Sequence, residues 1–337
     1  MKIRNLLLIS LAALSLFACK KDDDDDTLSF SGKMAFKIPE YVSPKDVYKY
    51  NVDTLSTLKT EDGRGIGYYF NFTAYSLRDT VKKESEANAR EYKLVIPDSL
   101  GTFTMYLYAY AKDYSMSVTS STFSVIKPGY GEGYSLTGFD IKATDKTFKD
   151  TRDNTEYYIT GTDKTEWLRN NLAWKGAGVA YNNAPVMSSV YGRYYSWNEA
   201  KTACPGGWTL PTEADWVELA TYNKVEAKPY ETISSFAGTL MENVYFNGSA
   251  MWPFERYVRI NNSARFSAIP AGYALLGGTD PTFKDVNSYA VFWCADESGD
   301  LAYCRYIFKE QDYLYTGLRD KKSFAASVRC VRKVTAN

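Results

Sequence analysis

ACPGGWTLPTEADWVEL, residues 203–219, brings a cysteine, two tryptophans and two prolines into one short stretch. Pro211-Thr212 opens a helix, with Thr212 as N-cap and Glu213 and Asp215 in the first turn, where the helix dipole favours acids. Trp216, Leu219 and Ala220 then line its buried side. Just upstream, Ser196-Trp197-Asn198-Glu199 reads as a capping box. Behind it Trp197, Ala200 and Cys204 share one face at i, i+3 and i+7. Two short helices therefore flank Cys204, which is either a nucleophile or a staple. An activated thiolate needs a cationic neighbour or a base. Cys204 has Pro205-Gly206-Gly207 instead, so the stretch reads as scaffold, with Trp208 and Trp216 packed inside.

The role of the cysteines depends on where the chain resides. It begins MKIRNLLLISLAALSLFAC. Lys2 and Arg4 form a positive region, and Leu6 to Leu16 an apolar one too short for a comfortable permanent span. Leu16-Phe17-Ala18-Cys19 resembles a bacterial lipobox, which implies lipidation at Cys19 and a signal peptide over residues 1–19. The run KKDDDDD that follows cannot pack, because like charges repel, and residues 20–27 read as a solvated tether. Its place beside the anchor resembles the export signal of surface lipoproteins in the Bacteroidetes. The alternative is a plain acidic spacer. The implied location is the outer membrane, lipid-anchored and facing the exterior.

Lys+Arg and Asp+Glu both total 40, a balance that argues against nucleic acid and against an anionic membrane surface as partners. The chain holds no histidine. That removes Ser-His-Asp and Cys-His catalysis and histidine-ligated metal. No paired-carboxylate motif stands out either, so no enzyme, cofactor or metal site is expected.

Residues 28–127 show short alternating runs such as Thr102-Phe103-Thr104-Met105-Tyr106-Leu107-Tyr108-Ala109-Tyr110, separated by breakers including Glu61-Asp62-Gly63. Period two with Tyr and Thr richness predicts antiparallel strands, and spacing near ten residues suggests an immunoglobulin-like β-sandwich. Lys127-Pro128-Gly129-Tyr130-Gly131-Glu132-Gly133-Tyr134 reads as a linker or glycine-opened turn over residues 128–139. Beyond the two helices, the region from Asn223 to Tyr289 is irregular, strand-poor and rich in rings and Gly.

With Cys19 assigned to lipid, Cys204, Cys294, Cys304 and Cys330 remain, an even number that argues for disulfides in an exported protein. Val291-Phe292-Trp293-Cys294 and Tyr303-Cys304-Arg305-Tyr306-Ile307 flank Asp296-Glu297-Ser298-Gly299-Asp300, the pattern of a hairpin. Opposed strand residues lie within disulfide reach. That predicts Cys294–Cys304 and leaves Cys204–Cys330.

Thr147-Phe148-Lys149-Asp150-Thr151-Arg152-Asp153, Trp167-Leu168-Arg169-Asn170-Asn171-Leu172 and Tyr191-Gly192-Arg193-Tyr194-Tyr195-Ser196-Trp197 lead into the 203–219 stretch. Phe266-Ser267-Ala268-Ile269-Pro270-Ala271-Gly272-Tyr273, Phe292-Trp293 and Ser327-Val328-Arg329-Cys330-Val331-Arg332 follow it. In this order they resemble the Fibrobacter succinogenes major paralogous domain, over residues 140–334. That family is similar to C-type-lectin-like folds, which implies nested disulfides and a surface-module role. The expected fold class is mostly β with two short helices, an immunoglobulin-like β-sandwich followed by a C-type-lectin-like α+β domain. No Glu-Pro-Asn, Gln-Pro-Asp or Trp-Asn-Asp triplet of a calcium-dependent sugar site is present. Asp296, Glu297 and Asp300 read as an acidic turn rather than cation ligands.

The expected role is non-catalytic binding or adhesion, with an extracellular glycan or protein as ligand. The alternative is a structural or accessory subunit of a surface assembly, such as a fimbria-associated complex. Candidate ligand-binding residues are Tyr245, Trp252, Phe254 and Tyr257, grouped around Asn243, Asn247 and Asn261. Flat rings beside amides suit a sugar or peptide patch. The alternative is that the rings fill a second small core beneath the loops.

Overall fold

The computed structural model describes residues 27–75, 80–84, 90–253 and 256–334. The signal segment, Cys19, residues 20–26 of the tether and Phe254 lie outside the described residues.

The alternating runs at the N-terminal end form two sheets. One holds Tyr41–Val42, Ser117–Val125, Gly101–Tyr110, Gly67–Tyr75 and Thr80–Glu84 in that spatial order, and the other pairs Val47–Asn51 with Glu91–Val95. In Gly101–Tyr110 the period-two pattern sends Phe103, Met105, Leu107 and Ala109 inward. Phe70 of the larger sheet stacks on Tyr92 of the smaller at 4.5 Å between ring centroids, so the sheets face each other across one core. The expected sandwich is present.

The following segment is not a free linker. Leu136–Thr137 pairs with Tyr245–Phe246, Asn170 Nδ2 donates to Tyr130 Oη, and Ile126 and Leu136 share a core with Met187 and Tyr191. The glycine-opened turn is docked on the domain beyond it.

That domain is built around a sheet of Ile233–Ser234, Tyr313–Asp320, Leu301–Phe308 and Tyr289–Ser298. Trp293 and Cys304 face one core, with Trp197, Trp208 and Phe324. Phe292, Cys294 and Ile307 face the other, with Trp216, Trp252 and Phe266. Burial on both faces explains why Ala290-Val291-Phe292-Trp293-Cys294 is apolar without alternation. Both expected helices form, Trp197–Ala203 and Glu213–Tyr222, each with a complete capping box. Ser196 and Glu199 close the first and Thr212 and Asp215 the second. Three single-turn helices, Val52–Leu55, Ser188–Tyr191 and Ala237–Leu240, were not legible in the periodicity. Gly272 has φ +66°, and a Cβ there would lie 2.1 Å from the Lys284 carbonyl oxygen, so the Ala271-Gly272-Tyr273 corner requires glycine.

Cys204 and Cys330 form a disulfide that joins the end of the first helix to the segment before the last strand, Val331–Lys333. The second expected bridge is absent, and Cys294 and Cys304 are free, buried thiols. The hairpin register gives the reason. Ser298 pairs with Leu301, a two-residue loop, so even-numbered residues oppose odd-numbered ones. The irregularity between Trp293 and Glu297 preserves that parity, and Cys304 opposes Trp293. Because opposed residues share a face, Cys294 points through the other side of the sheet. Burial pushes the Cys304 thiol up to about 12 and the Cys294 thiol well above its ordinary value. A protein beginning at Thr27 should therefore show no reaction with Ellman's reagent while folded and two reactive thiols in guanidinium. Silence in guanidinium would mean a bridge and overturn this register.

Candidate ligand-binding groove

The ring-rich region after Asn223 is tied down from beneath. Tyr245–Phe246 and Ser249–Ala250 form a hairpin closed by Asn247-Gly248, whose φ values of 47° and 81° match the turn that an Asn-Gly pair favours. Trp252 follows it and turns inward. Its side chain is buried among Leu240, Met241 and Phe266, and Nε1 donates to the Ala268 carbonyl at 3.1 Å. The assignment of Trp252 as an exposed binding ring is thus corrected, since an indole whose N–H is satisfied by backbone in the core serves packing.

Tyr245 and Tyr257 remain outside, Tyr257 at 71% exposure. Together with the rim of Trp252 they line one groove of about 610 Å3, shared with Asn243, Pro253, Arg256, Arg259, Ile260 and Lys309. Arg256 lies over the Tyr257 ring, 5.1 Å from its centroid. Among the described residues no carboxylate pairs with the Arg256 or Arg259 side chain. The amides divide differently from expectation. Asn243 lines the groove, Asn247 shapes the turn, and Asn261 is occupied locally by the Ser263 amide and the Arg259 carbonyl. The two arginines are not among the residues expected from the sequence, although Arg256-Tyr257-Val258-Arg259 is visible there as a basic pair around a ring.

The acidic turn is engaged within the protein. Asp296 accepts from the Glu213 amide at 2.8 Å and from Tyr230 Oη at 2.9 Å, and Glu297 pairs with Lys321. Beneath it, Glu213 accepts from Arg305 Nε at 2.9 Å and from Arg305 Nη2, and both side chains are fully buried. This pair locks the second helix onto the central sheet.

A second ionic cluster is built around Arg169. Arg169 pairs with Asp145 at 3.0 Å and lies 3.5 Å from Glu242, while Arg265 shares Asp145 at 2.7 Å. Arg329 has no exposure and no carboxylate among its hydrogen-bond partners. It donates to Asn171 Oδ1 and to the carbonyls of Leu168, Arg169, Phe266 and Ser267, and it stacks 4.6 Å from the Phe266 centroid. Burial lowers its pKa to about 9, which leaves it charged at neutral pH.

The ordered motifs of residues 147–332 supply much of this frame: the Trp-Leu-Arg-Asn-Asn segment, the capped helices, the Ala-Gly-Tyr corner and the Arg329-Cys330 pair. No curated protein and no solved structure matches the chain. The family model of the Fibrobacter succinogenes major domain matches residues 151–332, more than half of the sequence, and the chain belongs to that family.

Proposed function

We propose that this is a surface lipoprotein, anchored through Cys19 in the outer membrane and facing the exterior, whose family domain is a non-catalytic binding module of C-type-lectin-like architecture. The observation that carries the binding role is the groove. Two exposed tyrosines, one amide and two cations that no carboxylate pairs with among the described residues converge on a surface whose supporting residues are fixed by core packing. Rigid support under exposed rings is what recognition of a glycan or protein surface requires, because little ordering entropy is then lost on binding. The absence of histidine from the sequence agrees with a role that needs no proton transfer.

On a glycan array the full chain should bind a defined subset. Tyr257→Ala should then remove that binding while changing stability by no more than about 0.5 kcal/mol, as for an exposed side chain. Binding that survives Tyr257→Ala unchanged would rule out the groove. The location has its own test. Replacing Asp22 to Asp26 by alanine should leave lipidation intact and abolish cleavage by protease added to whole cells, whereas unchanged shaving would reduce the run to a spacer.

A further inference from the structure

Where residues 128–139 fold back on the family domain, they help line a cavity of about 450 Å3 that shares no lining residue with the groove above. Its walls include Tyr130, Tyr134, Phe139 and Tyr158, and its polar lining includes Asn170 and Ser189. Gly129 has φ +126°, and a Cβ there would lie 2.4 Å from the Tyr134 ring, so glycine is what lets that ring lie against the turn.

The hydrogen bonds already made fix what the cavity offers a ligand. Asn170 Oδ1 accepts from the Tyr158 amide at 3.1 Å, which orients Nδ2 toward Tyr130 Oη at 2.8 Å. Tyr130 oxygen is the acceptor in that bond. Among the described residues no protein group accepts the Tyr130 proton, and a hydroxyl in such a position donates to whatever enters. Burial raises the Tyr130 phenol to about 12, so the proton is present at neutral pH. Ser189 has the opposite character. Its hydroxyl donates to the Val186 carbonyl at 2.7 Å, leaving lone pairs to accept from a ligand hydroxyl.

Charge adds a third condition. Arg169, in the cavity's lining, pairs with Asp145 and lies near Glu242 and Asp140, and Arg265 also pairs with Asp145, whereas Arg329 is held by carbonyls and an amide alone. Arg329 therefore brings to the border of the cavity a buried positive charge with no carboxylate bonded to it, which favours an anion there. Glu156 also lines the cavity, but it is exposed and its charge is screened by solvent. We propose that this cavity binds an acidic sugar, a pyranose carrying a carboxylate. The carboxylate accepts from Tyr130 Oη in the field of Arg329, a ring hydroxyl donates to Ser189, and the C–H face lies on the tyrosine walls. The volume suits one or two sugar rings.

The test uses the full chain and matched probes. D-galacturonate and D-galactose differ only at the C6 carboxylate, with D-glucuronate, N-acetylneuraminate and acetate as further probes, each followed by calorimetry. At least one acidic sugar should bind about tenfold or more tightly than galactose and than acetate. Tyr130→Phe keeps the ring and removes the donor, and should weaken that sugar by about tenfold in the folded protein, beside a fall of only a few degrees in melting temperature from the lost Asn170 bond. Ser189→Ala should weaken it less and leave any groove ligand unaffected. Tyr257→Ala should leave the acidic sugar bound, which separates this site from the groove. Equal binding of galactose would remove the carboxylate from the argument, and equal binding of acetate would remove the sugar. No binding of any acidic sugar at ~10 mM, or full binding by Tyr130→Phe, would overturn the site.

Discussion

Replacing Glu213 by leucine should cost about 3–5 kcal/mol of stability, because Arg305 would be left charged and buried with no carboxylate, holding only the Glu231 carbonyl. Glu213 accepts from Arg305 Nε and Nη2 and from the Tyr230 amide, so one substitution removes every carboxylate bond to Arg305. The loss falls on the junction between the Glu213–Tyr222 helix and the central sheet. The double variant Glu213→Leu/Arg305→Leu separates pairing from packing. Removing both charges together should recover most of the loss, since a buried pair and a well-packed apolar pair of similar volume are often close in energy. Chemical denaturation read by tryptophan fluorescence measures both. A single variant within about 1 kcal/mol of wild type would show that water reaches Arg305.

The disulfide should contribute a comparable amount. Cys204 and Cys330 lie 126 residues apart in sequence, and closing a loop of that length is worth about 4–5 kcal/mol in the chain-entropy description. Cys204→Ser/Cys330→Ser should lower the denaturation midpoint accordingly, and reduction of the wild-type protein should reproduce the shift. The effect acts mainly on the unfolded chain. Unfolding rates of the reduced protein should therefore change less than refolding rates. A double variant as stable as wild type would mean that the unfolded chain already holds these ends together.

Local rules reached as far as local physics does. The Ser196–Glu199 capping box and the Thr212 cap were legible because a cap is settled within four residues, while the reciprocal bond from Asp215 emerged only in the structure. The sandwich was legible because each strand carries its own inward and outward alternation, as in Gly101–Tyr110. The family was legible because several separate motifs recur in order, and the match over residues 151–332 lies within the expected 140–334. Composition alone removed histidine chemistry.

Facing and register had to come from the tertiary structure. Cys294 and Cys304 flank a turn symmetrically in the sequence, but a two-residue loop places them on opposite faces. One residue more or less in that loop would have reversed the outcome, and composition at the turn does not fix that count. Trp252 and Tyr257 sit in the same aromatic segment, yet one closes a core and the other stands in solvent. An irregular segment has no period from which an inward side can be read. What decides is the space left by Trp216, Phe266 and Phe292, residues contributed by distant parts of the chain. The buried charges follow the same division. Arg169, Arg305 and Arg329 were visible as letters, but the partners that make their burial tolerable lie up to 161 positions away and meet them only after folding.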